Sequence, residues 1–139
     1  MLLLSRTRER APDPVRIRLA AAAASVVTVG AGLALRAVAD GNVAKYGGDA
    51  LYTVLVLALV VLLAPRVTPL TAAVSALAFS CAVEFLQLSD IPAELSRRSG
   101  IARLVLGSTF NAPDLLGYAA GAAAGWLIHT ALRILLSLR

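Results

Sequence analysis

The sequence predicts an all-α integral membrane bundle of four transmembrane helices, with a short interfacial helix between the third and the fourth. Three observations carry that reading. Apolar residues fill 59% of the 139 positions, against roughly 45–50% in soluble domains. They gather in runs close to the roughly 20 residues that a helix needs to cross a bilayer. No stretch alternates polar with apolar residues as the strands of a membrane barrel do, and the apolar content is mostly Ala, Leu and Val with only 5% aromatics.

Residues 1–14, with "SRTRERAPDP", read as a flexible cytoplasmic tail, because charge and proline leave nothing to bury. The four-span domain is expected over 15–139. Its first span, about 17–38, has Arg18 and Arg36 near its two ends, where long side chains reach the interface. The few leucines that open the chain are too short a run for a signal-peptide core, so this span is read as retained. "ADGNVAK" (39–45) has the residues of a chain reversal, and a second span follows over about 46–64. Pro65 and Pro69 punctuate a short connection to the third, about 70–88. From 89 to 112 charges mix with Leu, Ile and Val, and Ser89 or Asp90 before Pro92 and Glu94 marks the start of a helix lying at the interface. "NAPD" opens the last span, about 113–136, with Pro113 and Asp114 in the first turn, where a missing N–H and a negative charge are tolerated.

The net charge of +5 would raise nucleic-acid binding in a soluble protein. Here the arginines flank apolar runs, and orientation in the bilayer is their plainer use, with no nucleic-acid partner expected. Arg6, Arg8, Arg10, Arg16, Arg18, Arg66, Arg133 and Arg139 fall on one side of the predicted topology; Arg36, Lys45, Arg97, Arg98 and Arg103 fall on the other. The bias puts both termini of a multi-pass plasma-membrane protein in the cytoplasm.

On the opposite side three spans present polar pairs at helical spacing: Lys45 with Asp49, Glu84 with Gln87, and Asp114 with Tyr118. Glu84 is the most telling, because it lies about one turn inside its span, roughly 6 Å at ~1.5 Å per residue. An ionised group in lipid needs a partner or water, and the candidate partners are Lys45, Arg36 and Arg103. Gly117, Gly121 and Gly125 make a stripe on the fourth span. Small residues allow close backbone approach, either to another span of the same chain or to a second copy. His129, about four turns further on, is expected near the cytoplasmic interface and too far away to act with the acids. Cys81 is alone in an apolar segment and reads as a small packing residue.

No phosphate loop, nucleophile–base pair or metal-spaced His/Cys cluster is visible. The acids by themselves are too few for a convincing Mg²⁺ site, and no metal or cofactor is expected. The reading is therefore a non-enzymatic membrane protein. Its ligand-binding residues would be Lys45, Asp49, Glu84, Gln87, Arg103, Asp114 and Tyr118, taking a polar or lipid-linked ligand, with membrane lipids as partners and Arg97 and Arg98 on anionic headgroups. The alternatives are a proton- or cation-coupled transporter component, homodimeric through the glycine stripe, and a structural subunit of a membrane complex. An enzyme using Asp49 or Glu84 as general base is a lesser option.

"KYGGDALYTVLV", "AVEFLQL", "RLVLGSTFNAPD" with Arg103, Gly107 and Phe110, and "DLLGYAAGAAAG" resemble a bacterial family known as domain of unknown function 2809. The resemblance runs from about residue 44 to 126. That family is similar to the VanZ-like membrane proteins, which share a charged start to the second span, an E-x-x-Q-like third span and a D-x-x-x-N-x-x-G fourth. Here Tyr118 stands where that pattern has Asn, and no His lies near Lys45. Those departures favour the unknown-function branch over a glycopeptide-resistance role. The resemblance implies a multi-span protein of the cell envelope without an established activity.

Overall fold

The computed structural model describes residues 11–107 and 110–138; most of the expected N-terminal tail, residues 1–10, lies outside them, as do Ser108, Thr109 and Arg139. The helices are α1 (Pro14–Val38), α2 (Gly41–Leu63), α3 (Pro69–Leu86), α4 (Ile91–Arg98), α5 (Gly100–Leu106) and α6 (Asp114–Ser137). Among them α1, α2, α3 and α6 are long and apolar enough to cross a membrane, and the fold is the expected four-span helical bundle.

Each long helix starts where the local chemistry satisfies its free N–H groups or tolerates them. Asp13 accepts from the Val15 N–H at 3.0 Å with Pro14 next in line, and Thr68 accepts from the Thr71 N–H with Pro69 at the first helical position. The expected turn over 39–45 is largely absorbed into α2. Ala39 and Asp40 alone separate α1 from α2, because Gly41 takes a φ of 62° and reverses the chain without a Cβ penalty. Lys45 is therefore already helical. The expected single interfacial helix is two pieces, since Ser99 is extended and its hydroxyl caps α5 through the Ala102 N–H at 3.3 Å.

α2 is central: α1 lies against it, and α3 and α6 pack on it and on each other. Alternating direction puts the start of α1, the end of α2, the start of α3 and the end of α6 at one face of the bundle. The start of α2, the end of α3, α4, α5 and the start of α6 share the other. The first half is largely apolar inside, with Ile17, Ala21, Leu57, Val61, Ala72, Ala73 and Ala76 in one buried cluster and His129 the buried polar exception on α6. Two arginines close it: Arg18 donates to the Leu62 carbonyl at 3.1 Å and Arg133 to the Val67 carbonyl at 3.2 Å. Leu62 belongs to the last turn of α2, whose carbonyls lack helical partners.

The glycine stripe faces α2 of the same chain. A Cβ on Gly117 would stand 2.7 Å from the Asp49 Cβ, and one on Gly125 would stand 2.7 Å from Leu57 Cδ1. One on Gly121 would overlap the Ala50 backbone. Of the two arrangements expected of the stripe, packing within the chain is the one seen, with α2 against all three glycines. Its effect is to hold the starts of α2 and α6 side by side.

Candidate functional site

The second half of the bundle holds its buried polar groups in layers. Deepest is a hydrogen bond at 2.9 Å between the hydroxyls of Thr53 and Ser80, which joins α2 to α3 with both residues fully buried. One turn nearer the face comes Glu84, also fully buried. Its carboxylate accepts the Tyr118 hydroxyl from α6 at 2.8 Å and the backbone N–H of Asn111 at 2.6 Å. Outermost, Lys45 Nζ lies 3.4 Å from Asp114 Oδ1, which also accepts from the Asn111 side-chain amide at 2.6 Å. Asp49 lies between these layers, within hydrogen-bonding reach of the Asp114 carboxyl group.

The structure thus gathers Lys45, Asp49, Glu84, Asp114 and Tyr118 at one end of the bundle. Gln87 borders them, held by the bond from its Nε2 to the Leu106 carbonyl. Gly107 permits that contact, since a Cβ there would stand 2.6 Å from Gln87 Nε2 and its φ is 64°. Arg103 departs from the expected set. Its guanidinium donates to the Ser96 carbonyl at 3.1 Å, tying α5 to α4, and it lines a separate small hollow with Asp90, Ser96 and Arg97.

The cationic partner expected for Glu84 is also corrected: Lys45 pairs with Asp114, Arg103 is bonded to Ser96, and the partners of Glu84 are neutral donors. Arg97 and Arg98 both pair with Glu94 along α4. His129 is buried within the bundle, and neither ring nitrogen has a hydrogen-bond partner among the described residues. Cys81 is only partly buried.

Residues that the sequence reading left out complete the site. Asn111 is doubly engaged, and its place three positions before Asp114 at a helix start was the available signal. Tyr52 packs its ring against that of Tyr118 at a centroid distance of 6.2 Å. Beside these groups a cleft of about 970 Å³ runs between α1, α2, the end of α3, α5 and the start of α6. Val29, Leu33, Leu51, Leu55, Leu104 and Phe110 wall it, whereas Lys45, Asp49, Gln87, Asn111, Asp114 and Tyr118 line its polar end. Among the described residues no set of His, Cys, Asp and Glu converges to hold a metal ion.

Fold and site together define a four-span helical membrane protein with a polar cluster and an amphipathic cleft at one end. Residues 38–122 match the family described as Protein of unknown function (DUF2809). The match covers more than half of the chain, from the α1–α2 turn into α6, and the chain belongs to that family. No curated protein and no solved structure matches it.

Proposed function

We propose that this protein is a non-enzymatic protein of the bacterial cell envelope that binds an amphiphile, a lipid or lipid-linked molecule, in the cleft between α1, α2 and α5. The observation that carries this reading is the make-up of the cleft. Its walls are aliphatic over the length of several helical turns and its charged and amide groups sit at one end, which matches a molecule with an acyl chain and a polar head. Lys45, half exposed, pairs with the buried Asp114 where both line the cleft. Arg16, Arg18, Arg66 and Arg133 lie at the other face. On the charge bias of membrane proteins that face is cytoplasmic, with both termini, and the cleft opens outward in the plasma membrane.

The coupled-transport alternative has less support. Beneath Thr53 and Ser80 the interior is apolar apart from the lone buried imidazole of His129, and the glycine stripe that would make a dimer is taken by α2.

Filling the cleft tests the proposal. Val29→Trp is placed on the α1 wall, where Val29 is 45% exposed and carries no packing role in the core. Native mass spectrometry of the wild-type protein released from its own membrane is expected to retain an amphiphile at one per chain. Val29→Trp is expected to lose most of it, about tenfold or more, while remaining monodisperse. Equal lipid content in the two proteins would contradict the reading.

A further inference from the structure

Resting on the amphiphile reading of the cleft, the unpartnered polar atoms of residues that line it allow the head of the occupant to be specified. Asp49 Oδ2, Gln87 Oε1 and the Tyr52 hydroxyl are buried atoms with no hydrogen-bond partner among the described residues. All three belong to residues that line the same cleft. The orientation of the Gln87 amide is not arbitrary: its Nε2 is committed to the Leu106 carbonyl, which leaves the oxygen as the unused end. Asp49 and Tyr52 are three residues apart on α2 and share a face.

The charge balance at this end points the same way. Lys45 is committed to Asp114, the Tyr118 hydroxyl and the Asn111 N–H are committed to Glu84, and Arg36 lines the cleft from the end of α1, where it is exposed. Asp49 lies beside the Asp114 carboxyl group, and the two share one nearby cation, Lys45. Two of the three unpartnered oxygens, on Asp49 and Gln87, can only accept, and the Tyr52 hydroxyl can accept as well as donate, so this end of the cleft can take up N–H donors, with the exposed Arg36 at its rim.

We infer that the cleft binds a long-chain primary amine, an amphiphile whose ammonium head is received by Asp49, Gln87 and Tyr52. A primary ammonium brings one positive charge and three N–H donors, one for each of the three unpartnered oxygens, of which the Asp49 oxygen belongs to a carboxyl group. The alkyl chain lies along Leu51, Leu55 and Val29, which line the same cleft. A quaternary ammonium brings the charge without the donors, and a phosphate brings further acceptors; both are poorer complements.

Native mass spectrometry of the full chain in phosphatidylcholine nanodiscs, with empty nanodiscs as the blank, tests this with four probes. Dodecylamine is expected to bind saturably at one per chain, at least tenfold tighter than dodecyltrimethylammonium, dodecyl phosphate or ethanolamine. Asp49→Asn is expected to weaken dodecylamine about tenfold and to leave dodecyltrimethylammonium closer to its wild-type value. Saturable binding in which dodecyl phosphate or dodecyltrimethylammonium equals or exceeds dodecylamine would overturn the amine assignment and leave the amphiphile cleft standing. Ethanolamine binding as tightly as dodecylamine would overturn the role of the chain. No saturable binding of any dodecyl probe would remove both readings. Because Asp49 packs against Gly117, Gln87→Leu, at the rim of the bundle, provides a second variant with the same expected direction.

Discussion

Gly121→Val is expected to abolish the packed bundle, while Gly30→Val leaves it intact. At position 121 even a Cβ would overlap the Ala50 carbonyl and stand 2.9 Å from the Ala50 Cα. The obstacle is backbone, which cannot swing aside as a side chain does. Overpacking usually costs about 1–3 kcal/mol and more where nothing can shift, so the loss is expected at or above the top of that range. Nothing lies within 4 Å of a Cβ on Gly30, and the change there should stay within about 0.5 kcal/mol. Unfolding by sodium dodecyl sulfate in bicelles, followed through the single Trp126, measures both. Were the stripe instead an interface between copies, Gly121→Val would yield a stable monomer, the opposite outcome.

Glu84→Ala should be nearly as damaging, for an electrostatic reason. It would strand two buried donors, the Tyr118 hydroxyl and the Asn111 N–H. Each unsatisfied donor costs about 1–3 kcal/mol, so the same titration is expected to show a loss of about 2–5 kcal/mol. Glu84→Gln keeps one acceptor and should fall between alanine and wild type. Tyr118→Phe removes a donor instead, leaves the Asn111 bond in place and should lose less than Glu84→Ala. A loss under about 0.5 kcal/mol for Glu84→Ala, the usual scale for an unengaged surface site, would mean that this carboxylate does not join α3 to α6.

Much of the architecture is legible because the bilayer imposes a simple code. Four apolar runs of sufficient length give four helices, and Pro14, Pro65, Pro69 and Pro113 mark their boundaries within a few residues. The start of α2 is not legible, because Asp40, Gly41 and Asn42 carry the composition of a loop. A single positive φ at Gly41 suffices for the reversal, and Asn42 is left in the helix. The division between α4 and α5 at Ser99 follows from a cap, a local choice that competes closely with continuing the helix.

In the site, the spacing of Lys45 with Asp49 and of Asp114 with Tyr118 identifies which faces carry polar groups. It does not identify who meets whom. Glu84 looks like half of an ion pair, yet its partners are a phenol 34 residues away and a backbone N–H, a group present at almost every position. Gln87 and Arg103 illustrate the same limit: both were expected to face the ligand, but the first spends one end on Leu106 and the second turns to Ser96.

The proposed function requires a water-accessible cleft that opens on the outer side of the membrane at the start of α2. Whole-cell labelling with a membrane-impermeant maleimide tests it most directly, using single cysteines in place of Lys45, Asp49 or Arg66 in a Cys81→Ser background. Arg66 is the control, exposed in the α2–α3 connection at the opposite face. The account predicts labelling at positions 45 and 49 in intact cells and at 66 only after permeabilisation. Labelling at 66 in intact cells, or protection of 45 and 49 on both sides of the membrane, would contradict it.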